Sequence, residues 1–254
     1  MVRGKKVHIV TQARIGSSRF PEKILKLIDD KTLIEHHINR LLNVKDVDKV
    51  ILATTNETGI DDLIDVLKEK NIKIYQGSTD NVLSRFYNSL KNNKPDYVVR
   101  VTSDCPLIDH HLIYQVIDFT IENNLDYGAN ILKDDFPDGQ DIEVFKFEAL
   151  ESAYKLAKLN SDKEHVTPYI RRNSSYCGGE VFKSDNFPNN TDFSKIRMTV
   201  DEPEDLEAIK TLVEKVGVSN TWQEYTDYIV NNLSSFSNQS IERNEGFKKS
   251  LKND

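Results

Sequence analysis

Short runs of β-branched residues alternate with segments of helical period through the first half of this chain, and that alternation limits the fold more than any other feature. Strands are expected at Val7–Val10, Val50–Ala53, Ile72–Tyr75 and Tyr97–Val101. Between them, helical spacing covers Leu33–Leu42, with apolar residues at 33, 34, 38, 41 and 42, an acidic stretch from about Gly59 to Glu69, Asn81–Leu90 and Leu112–Ile121. A strand followed by a helix and another strand implies a crossover, and repeated crossovers build a parallel sheet with helices on both faces. The expected class is α/β, a three-layer α/β/α sandwich about a mostly parallel sheet. The second half is less regular. Ile142–Phe147, Tyr176–Phe182 and Ile196–Val200 read as strands, and Glu148–Lys158, Glu164–Arg171 and Asp201–Val216 as helices. A single domain over residues 1–233 follows, with a lobe at about 130–195. The tail over 234–254 is rich in Ser, Asn and Lys, and is expected to dock loosely or stay mobile.

The segment Gln12-Ala-Arg-Ile-Gly-Ser-Ser-Arg-Phe-Pro-Glu-Lys23 carries the most chemical information. It follows the first strand, and so belongs at the carboxyl edge of a parallel sheet, where α/β folds bind ligands. Gly16 lets backbone amides approach an anion, Ser17 and Ser18 add donors, and Arg14, Arg19 and Lys23 bring three positive charges into one loop. A triphosphate needs that mixture of fixed amides and mobile cations. The Walker spacing is absent, which disfavours a P-loop kinase or ATPase, and the dinucleotide fingerprint is absent as well. The competing reading is a solvated turn that happens to be basic.

Asp104 and Asp201 each follow an expected strand, so both belong on the ligand edge of the sheet. Mg²⁺ takes oxygen ligands, usually one or two carboxylates completed by phosphate and water. Asp201 has a competing role as the N-cap of the helix after it, ahead of Pro203, and Asp104 as an Asx turn ahead of Pro106. Gly77, Ser78 and Asp80 read locally as a plain loop in which Asp80 caps a helix.

Composition narrows the classes. The formal charge of −7 disfavours a general nucleic-acid binder, which needs a basic surface. Cys105 and Cys177 are the only two cysteines and form no C-x-x-C pair, so neither a disulfide framework nor a zinc site is expected. Cys105 beside Asp104 is read as a small passive residue. The first residues run into a strand without an apolar signal region, and no stretch approaches the ~18 apolar residues of a membrane span. A cytoplasmic protein without membrane partner is expected.

Taken in order, Gln12–Lys23, Gly77–Phe86, Arg100–Asp109, Pro137–Val144, Glu164–Ile170 and Arg197–Leu206 resemble the blocks of the cytidylyltransferases of bacterial surface-sugar synthesis. The likeness covers most of the chain. It is greatest to the spore-coat polysaccharide protein F group, and weaker to the enzymes that activate acylneuraminate and 3-deoxy-manno-octulosonate. The resemblance implies a fold of the nucleotide-diphospho-sugar transferase type. It also implies Mg²⁺-dependent transfer of CMP from CTP to a small acidic sugar-like acceptor, with release of pyrophosphate. By the same resemblance, Gln12, Ala13, Arg14, Gly16, Ser17, Ser18, Arg19, Lys23, Gly77, Ser78, Asp80, Thr102, Ser103 and Asp104 contact the nucleotide. Arg14, Arg19, Lys23 and Asp104 act in catalysis, and Asp104 and Asp201 hold the metal. Arg100, Gln140, Asp141, Glu143, His165 and Arg171 would meet the acceptor. For Arg100 an ion pair with an aspartate beneath the sheet, and for His165 a buried structural role, are the alternatives. A homodimer is expected. Open alternatives for the activity are another NTP, a phosphorylated or phosphonate acceptor, and a non-catalytic binding homologue.

Overall fold

A computed structural model describes residues 1–17, 19–243, 248, 250, 251 and 254. The chain runs through β1 (Val7–Gln12), a small hairpin of β2 (Leu27–Ile28) and β3 (Lys31–Thr32), α1 (Leu33–Leu42), β4 (Lys49–Thr55), α2 (Ile60–Leu67), β5 (Lys73–Gly77), α3 (Val82–Leu90), β6 (Tyr97–Thr102) and α4 (His110–Glu122). The second half adds β7 (Tyr127–Ala129), β8 (Glu143–Lys146), α5 (Phe147–Leu156), α6 (Asn160–His165), α7 (Pro168–Arg172), β9 (Ser184–Asn186), α8 (Pro203–Lys215) and α9 (Trp222–Asn231).

The main sheet has the order β5-β4-β1-β6-β8-β7-β9. β5, β4, β1 and β6 are parallel, with Thr11 of β1 opposite Leu52 on one side and Val101 on the other. β8 is antiparallel to both β6 and β7, and β9 is parallel to β7. The chain leaves β1 toward β4 and β5, then returns to lay β6 on the opposite flank of β1. That reversal opens a crevice beyond the carboxyl ends of β1 and β6.

Alternation along the strands sorts the core into two layers. Val7, Ile9, Leu52, Val99 and Val101 face α1, α2, α4, α8 and α9, while Val10, Ile51, Ala53, Val98 and Phe145 face α3, α5 and α7. Strands buried on both faces read as continuous apolar runs, which is why β1 and β6 stand out in the sequence. Local chemistry fixes the helix starts. Thr32 and Glu35 form a reciprocal capping box at α1, Asn81 accepts from Ser84 N at α3, and Asp109 accepts from His111 N and Leu112 N at α4. No helix among the described residues is long and apolar enough to cross a membrane.

Three expected elements differ. Tyr176–Phe182 is not a strand: a 3-10 turn at Ser175–Cys177 gives way to a loop, and Ser174 and Phe182 make one isolated bridge. Gly178 at φ +84 and Gly179, whose backbone lies so close to Asn173 that a Cβ would fall 2.3 Å from its carbonyl carbon, end any extended run. Ile196–Val200 is extended but pairs with Asp138 through a lone bridge at Arg197. Its partner turns away at Gly139, where φ is +105 and a Cβ would meet the Met198 carbonyl carbon at 2.7 Å. Glu164–Arg171 splits into α6 and α7, because Val166 takes φ 71 and Pro168 opens the next helix. The hairpin β2–β3, strand β7 and helix α9 had not been read from the sequence.

Two buried histidines are kept neutral. Burial, with help from Lys6 and Lys49, holds His8 down to about 4. Burial likewise holds His37 to about 4, against the opposing pull of the Cys105 carbonyl. An unfolded histidine titrates near 6.5. These groups therefore take up protons more readily when unfolded, and the stability they contribute is complete above about pH 6.5 and is lost as pH falls toward 4. Urea titrations at stepped pH should show that decline, and a His8→Leu variant should show a shallower one; an equal slope in the variant contradicts the assignment for His8.

Candidate active site

The loop after β1 folds back on itself, with Ser17 N and Glu22 N both donating to the Ile15 carbonyl oxygen at 2.8 and 3.2 Å. Ala13 is buried at its base, where its carbonyl accepts from Thr54 Oγ1. Arg14 is exposed. Ser17 Oγ is taken by Phe20 N at 3.3 Å, and Ser18 lies outside the described residues. The loop ends in the 3-10 turn Lys23–Leu25, which aims Lys23 inward.

Lys23 Nζ donates to Asp104 Oδ2 at 3.2 Å, Asp201 Oδ1 at 2.8 Å and the Val200 carbonyl at 2.7 Å. Burial works against its charge, but the two carboxylates prevail and raise its pKa. Asp104 responds in kind: burial alone would raise it, yet the ammonium and a hydrogen bond from Thr102 hold it well below the usual carboxylate range. Arg19 reaches the same cluster through Asp201 at 2.9 Å and Glu202 Oε1 at 3.4 Å.

Backbone pairing brings the two acids together. Val200 N donates to the Asp104 carbonyl at 2.8 Å, so Asp201 emerges beside Asp104. Asp201 is not the helix cap. Glu202 takes that position, Pro203 opens α8, and Asp205 Oδ2 accepts from Asp201 N and Glu202 N at 2.9 and 3.0 Å, leaving the Asp201 carboxylate free to turn to Lys23. Arg197, 4% exposed, binds Asp205 with two parallel hydrogen bonds of 2.8 Å, donates to Asp138 Oδ2 at 2.8 Å and lies 3.6 Å from Asp201. The Asp104 turn is braced from behind by His37, whose Nδ1 meets the Cys105 carbonyl while Nε2 meets Thr11 Oγ1. Cys105 is buried and its thiol is pushed well up by burial and by Asp104, which removes it as a nucleophile.

On the opposite side of the loop, Arg85 Nη1 donates to the carbonyls of Ser78 and Thr79 at 2.6 and 3.2 Å and so shapes the turn after Gly77. Ser78 and Asp80 are exposed, and Asn81 rather than Asp80 caps α3. Gln12 and Thr102 sit opposite each other at the ends of β1 and β6, with Ser103 buried just beyond.

The residues expected at the acceptor divide into three groups. Arg100 pairs with Glu143 Oε1 at 2.5 Å, Tyr127 donates to Glu143 Oε2 at 2.5 Å, and Arg171 and His165 are electrostatic neighbours of that acid. Burial opposes the Glu143 charge, but Arg100 and Arg171 outweigh it and keep the pKa low. His165 Nε2 meets Ser250 Oγ at 2.8 Å, and burial lowers its pKa to about 4. Asp141 forms a separate pair with Arg243 at 2.6 Å; burial raises the pKa of both Asp138 and its neighbour Asp141. Gln140 is a brace: fully buried, its amide accepts from Asp109 N and donates to the Leu107 carbonyl, which leaves it no face for a small molecule.

The tail expected to dock loosely or stay mobile is held by hydrogen bonds as far as Arg243, while its residues 244–247, 249, 252 and 253 lie outside the described residues. Asn238 donates to Asp205 Oδ1, the Gln239 side-chain amide accepts from Arg197 N and donates to the Arg197 carbonyl, and Arg243 reaches the Phe136 carbonyl as well as Asp141. Sequence reading had missed Glu57, Arg85, Arg197 and Arg243. Arg197 alone left a signal, through its spacing of four and eight residues from Asp201 and Asp205 at a strand-to-helix junction.

A basic glycine loop at a switch-point crevice, facing one carboxylate after β6 and another ahead of α8, is the architecture of an α/β nucleotidyltransferase. The sequence profile described as cytidylyltransferase matches residues 8–237, and the chain belongs to that family. The solved structure of a cytidylyltransferase from Leptospira borgpetersenii is similar at 31% identity, with a TM-score of 0.86 over 94% of this chain and 100% of that one. The spore coat polysaccharide biosynthesis protein SpsF of Bacillus subtilis is 27% identical across 82% of this chain and 86% of its own. An uncharacterized protein of Methanocaldococcus jannaschii is 37% identical over 65% of this chain, a match that spans 66% of that protein.

Arg197 leaves Asp205, which is fully buried, with its charge balanced. Removing one member of such a pair strands the other, typically at about 3–5 kcal/mol. Arg197→Met should lose that much stability at pH 7 in denaturant titrations, and Arg197→Met with Asp205→Leu should recover most of it; no recovery would rule out the pair as the cause.

Proposed function

We propose that this protein transfers CMP from CTP to a small acidic sugar or sugar-like acceptor, releasing pyrophosphate, in the synthesis of surface polysaccharide precursors. The observation that carries the reading is the convergence of Lys23, Asp104 and Asp201 at the end of the basic Gly16 loop in a chain of the cytidylyltransferase family. That B. subtilis SpsF bears a spore coat polysaccharide name supports the choice of pathway class.

Mg²⁺ fits the donor set. Two carboxylates and the Val200 carbonyl form an all-oxygen group already gathered around a cation, and a hard divalent ion is completed by phosphate oxygens and water. Asp104 and Asp201 would hold it, and when bound it would neutralise charge on the α-phosphate.

In the proposed reaction the loop amides and Arg14 orient the triphosphate, while Arg19 and Lys23 stabilise charge on the departing pyrophosphate. An acceptor oxygen attacks the α-phosphorus in line, the bond to the bridging oxygen of the pyrophosphate breaks, and CMP is carried to the acceptor. The protein's part is placement and charge stabilisation, which account for most of the acceleration in phosphoryl transfer. Arg100 and Arg171, partly exposed beside the buried Glu143, would offer cationic groups to a polyhydroxylated acid.

Pyrophosphate release with a panel of four NTPs and acidic sugar acceptors should be greatest with CTP; an equal or greater rate with another nucleotide would overturn the choice of base. Lys23→Ala and Asp104→Asn should each lower kcat by about a hundredfold or more, the scale of losing one charge-stabilising contact. Wild-type rates in either folded variant would sink the assignment of these residues.

A further inference from the structure

The amide groups of Ile15 and Gly16 are not empty-handed. Both converge on a single carboxylate oxygen, Glu57 Oε1, at 2.6 and 3.4 Å. Glu57 comes from the loop after β4, and is only partly buried. Glycine at position 16 makes this approach possible, since a Cβ there would lie 2.9 Å from Glu57 Oε2. Successive backbone amides turned toward one point form a nest for an anion, and here the anion is supplied by the chain itself.

A second observation shows that the surroundings carry more positive charge than Glu57 balances. Arg85 is 2% exposed, its Nε has no hydrogen-bond partner, and among the described residues no carboxylate lies within ion-pair distance of it. Its nearest charges are Arg14, which repels it, and Glu57, which attracts it; burial and Arg14 bring its pKa down to about 10, still charged at neutral pH. A buried guanidinium without a carboxylate is unusual, because an uncompensated buried charge is costly. Two amides of the loop that also presents Lys23 and Arg19 therefore hold one carboxylate, which has Arg85 as an electrostatic neighbour.

We infer that Glu57 is a resident anion that occupies the polyphosphate seat of the loop and competes with the nucleotide tail for it. While the seat lacks a nucleotide, Glu57 keeps the Ile15 and Gly16 amides turned inward and offsets Arg14 and Arg85. When a triphosphate enters, its oxygens take the amides and the carboxylate withdraws toward solvent. Glu57 thus sets affinity: it weakens binding of the polyphosphate in exchange for a loop that is already shaped. The inference rests on the nucleotide reading only in naming the ligand's tail.

The test uses Glu57→Gln, which keeps an oxygen for the amides and removes the charge. Binding of sodium tripolyphosphate and of CTP is measured by calorimetry on the full chain, at a fixed excess of Mg²⁺, with the melting temperature of the free variant as a check on folding. Hydrogen bonds to a charged acceptor are roughly twice as strong as neutral ones, so the variant should bind tripolyphosphate about tenfold more tightly than the wild type. Unchanged or weaker binding overturns the proposal, because a merely structural Glu57 would loosen the loop when altered. Tightened tripolyphosphate binding with no CTP binding by either protein would support the role of Glu57 and refute the nucleotide reading, which keeps the two separable.

Discussion

One ammonium group organises the rim of this molecule. Lys23 Nζ is shared by Asp104 and Asp201, which lie 81 and 178 residues further along the chain. Two carboxylates brought to one point from distant parts of the chain repel each other, and without a cation between them one would be driven to take up a proton. Lys23 removes that conflict, and with it the first loop, the turn after β6 and the entry to α8 become a single unit. The same position suits a divalent ion, so the resident lysine and the proposed metal answer one electrostatic demand at different stages.

That unit is held by buried polar braces. Arg197 clamps Asp205 and Asp138, Gln140 ties Leu107 to Asp109, and His37 supports the Cys105 carbonyl. Buried polar groups of this kind are stabilising only when every donor and acceptor is matched. Their role is placement: residues at the ends of parallel strands can hold their geometry only if the turns they sit on do not drift. At the rim Lys23 is held by two acids and Glu57 by two backbone amides.

Legibility in the sequence followed the range of the interactions. The strands and helices of the first half could be read because their burial is periodic and their caps are local, as with Thr32 and Glu35 or Asp109. The Gly16 loop, Asp104 and Asp201 could be picked out because they follow strands. Tyr176–Phe182 and Ile196–Val200 have strand-like composition, yet glycine backbones at 139, 178 and 179 decide that neither joins the sheet. Glu57 was not legible, since nothing near it in the chain marks it, and Arg85, although inside the Gly77–Phe86 block, carried no sign of its own part. Their meaning comes from what lies across the loop.

The sequence alone determined the periodicities that make an α/β sandwich and the order of the blocks that place the chain among the cytidylyltransferases. These are properties of neighbouring residues, and burial and capping act over a few positions. Only the tertiary structure decided which charges meet. It took Asp201 out of the helix cap and put it beside Lys23, turned Gln140 into a brace, paired Arg100 with Glu143, and set a glutamate on the loop amides. The reason is that electrostatic partners are chosen by distance in space, and the β1–β6 switch point makes neighbours of residues that the chain keeps far apart.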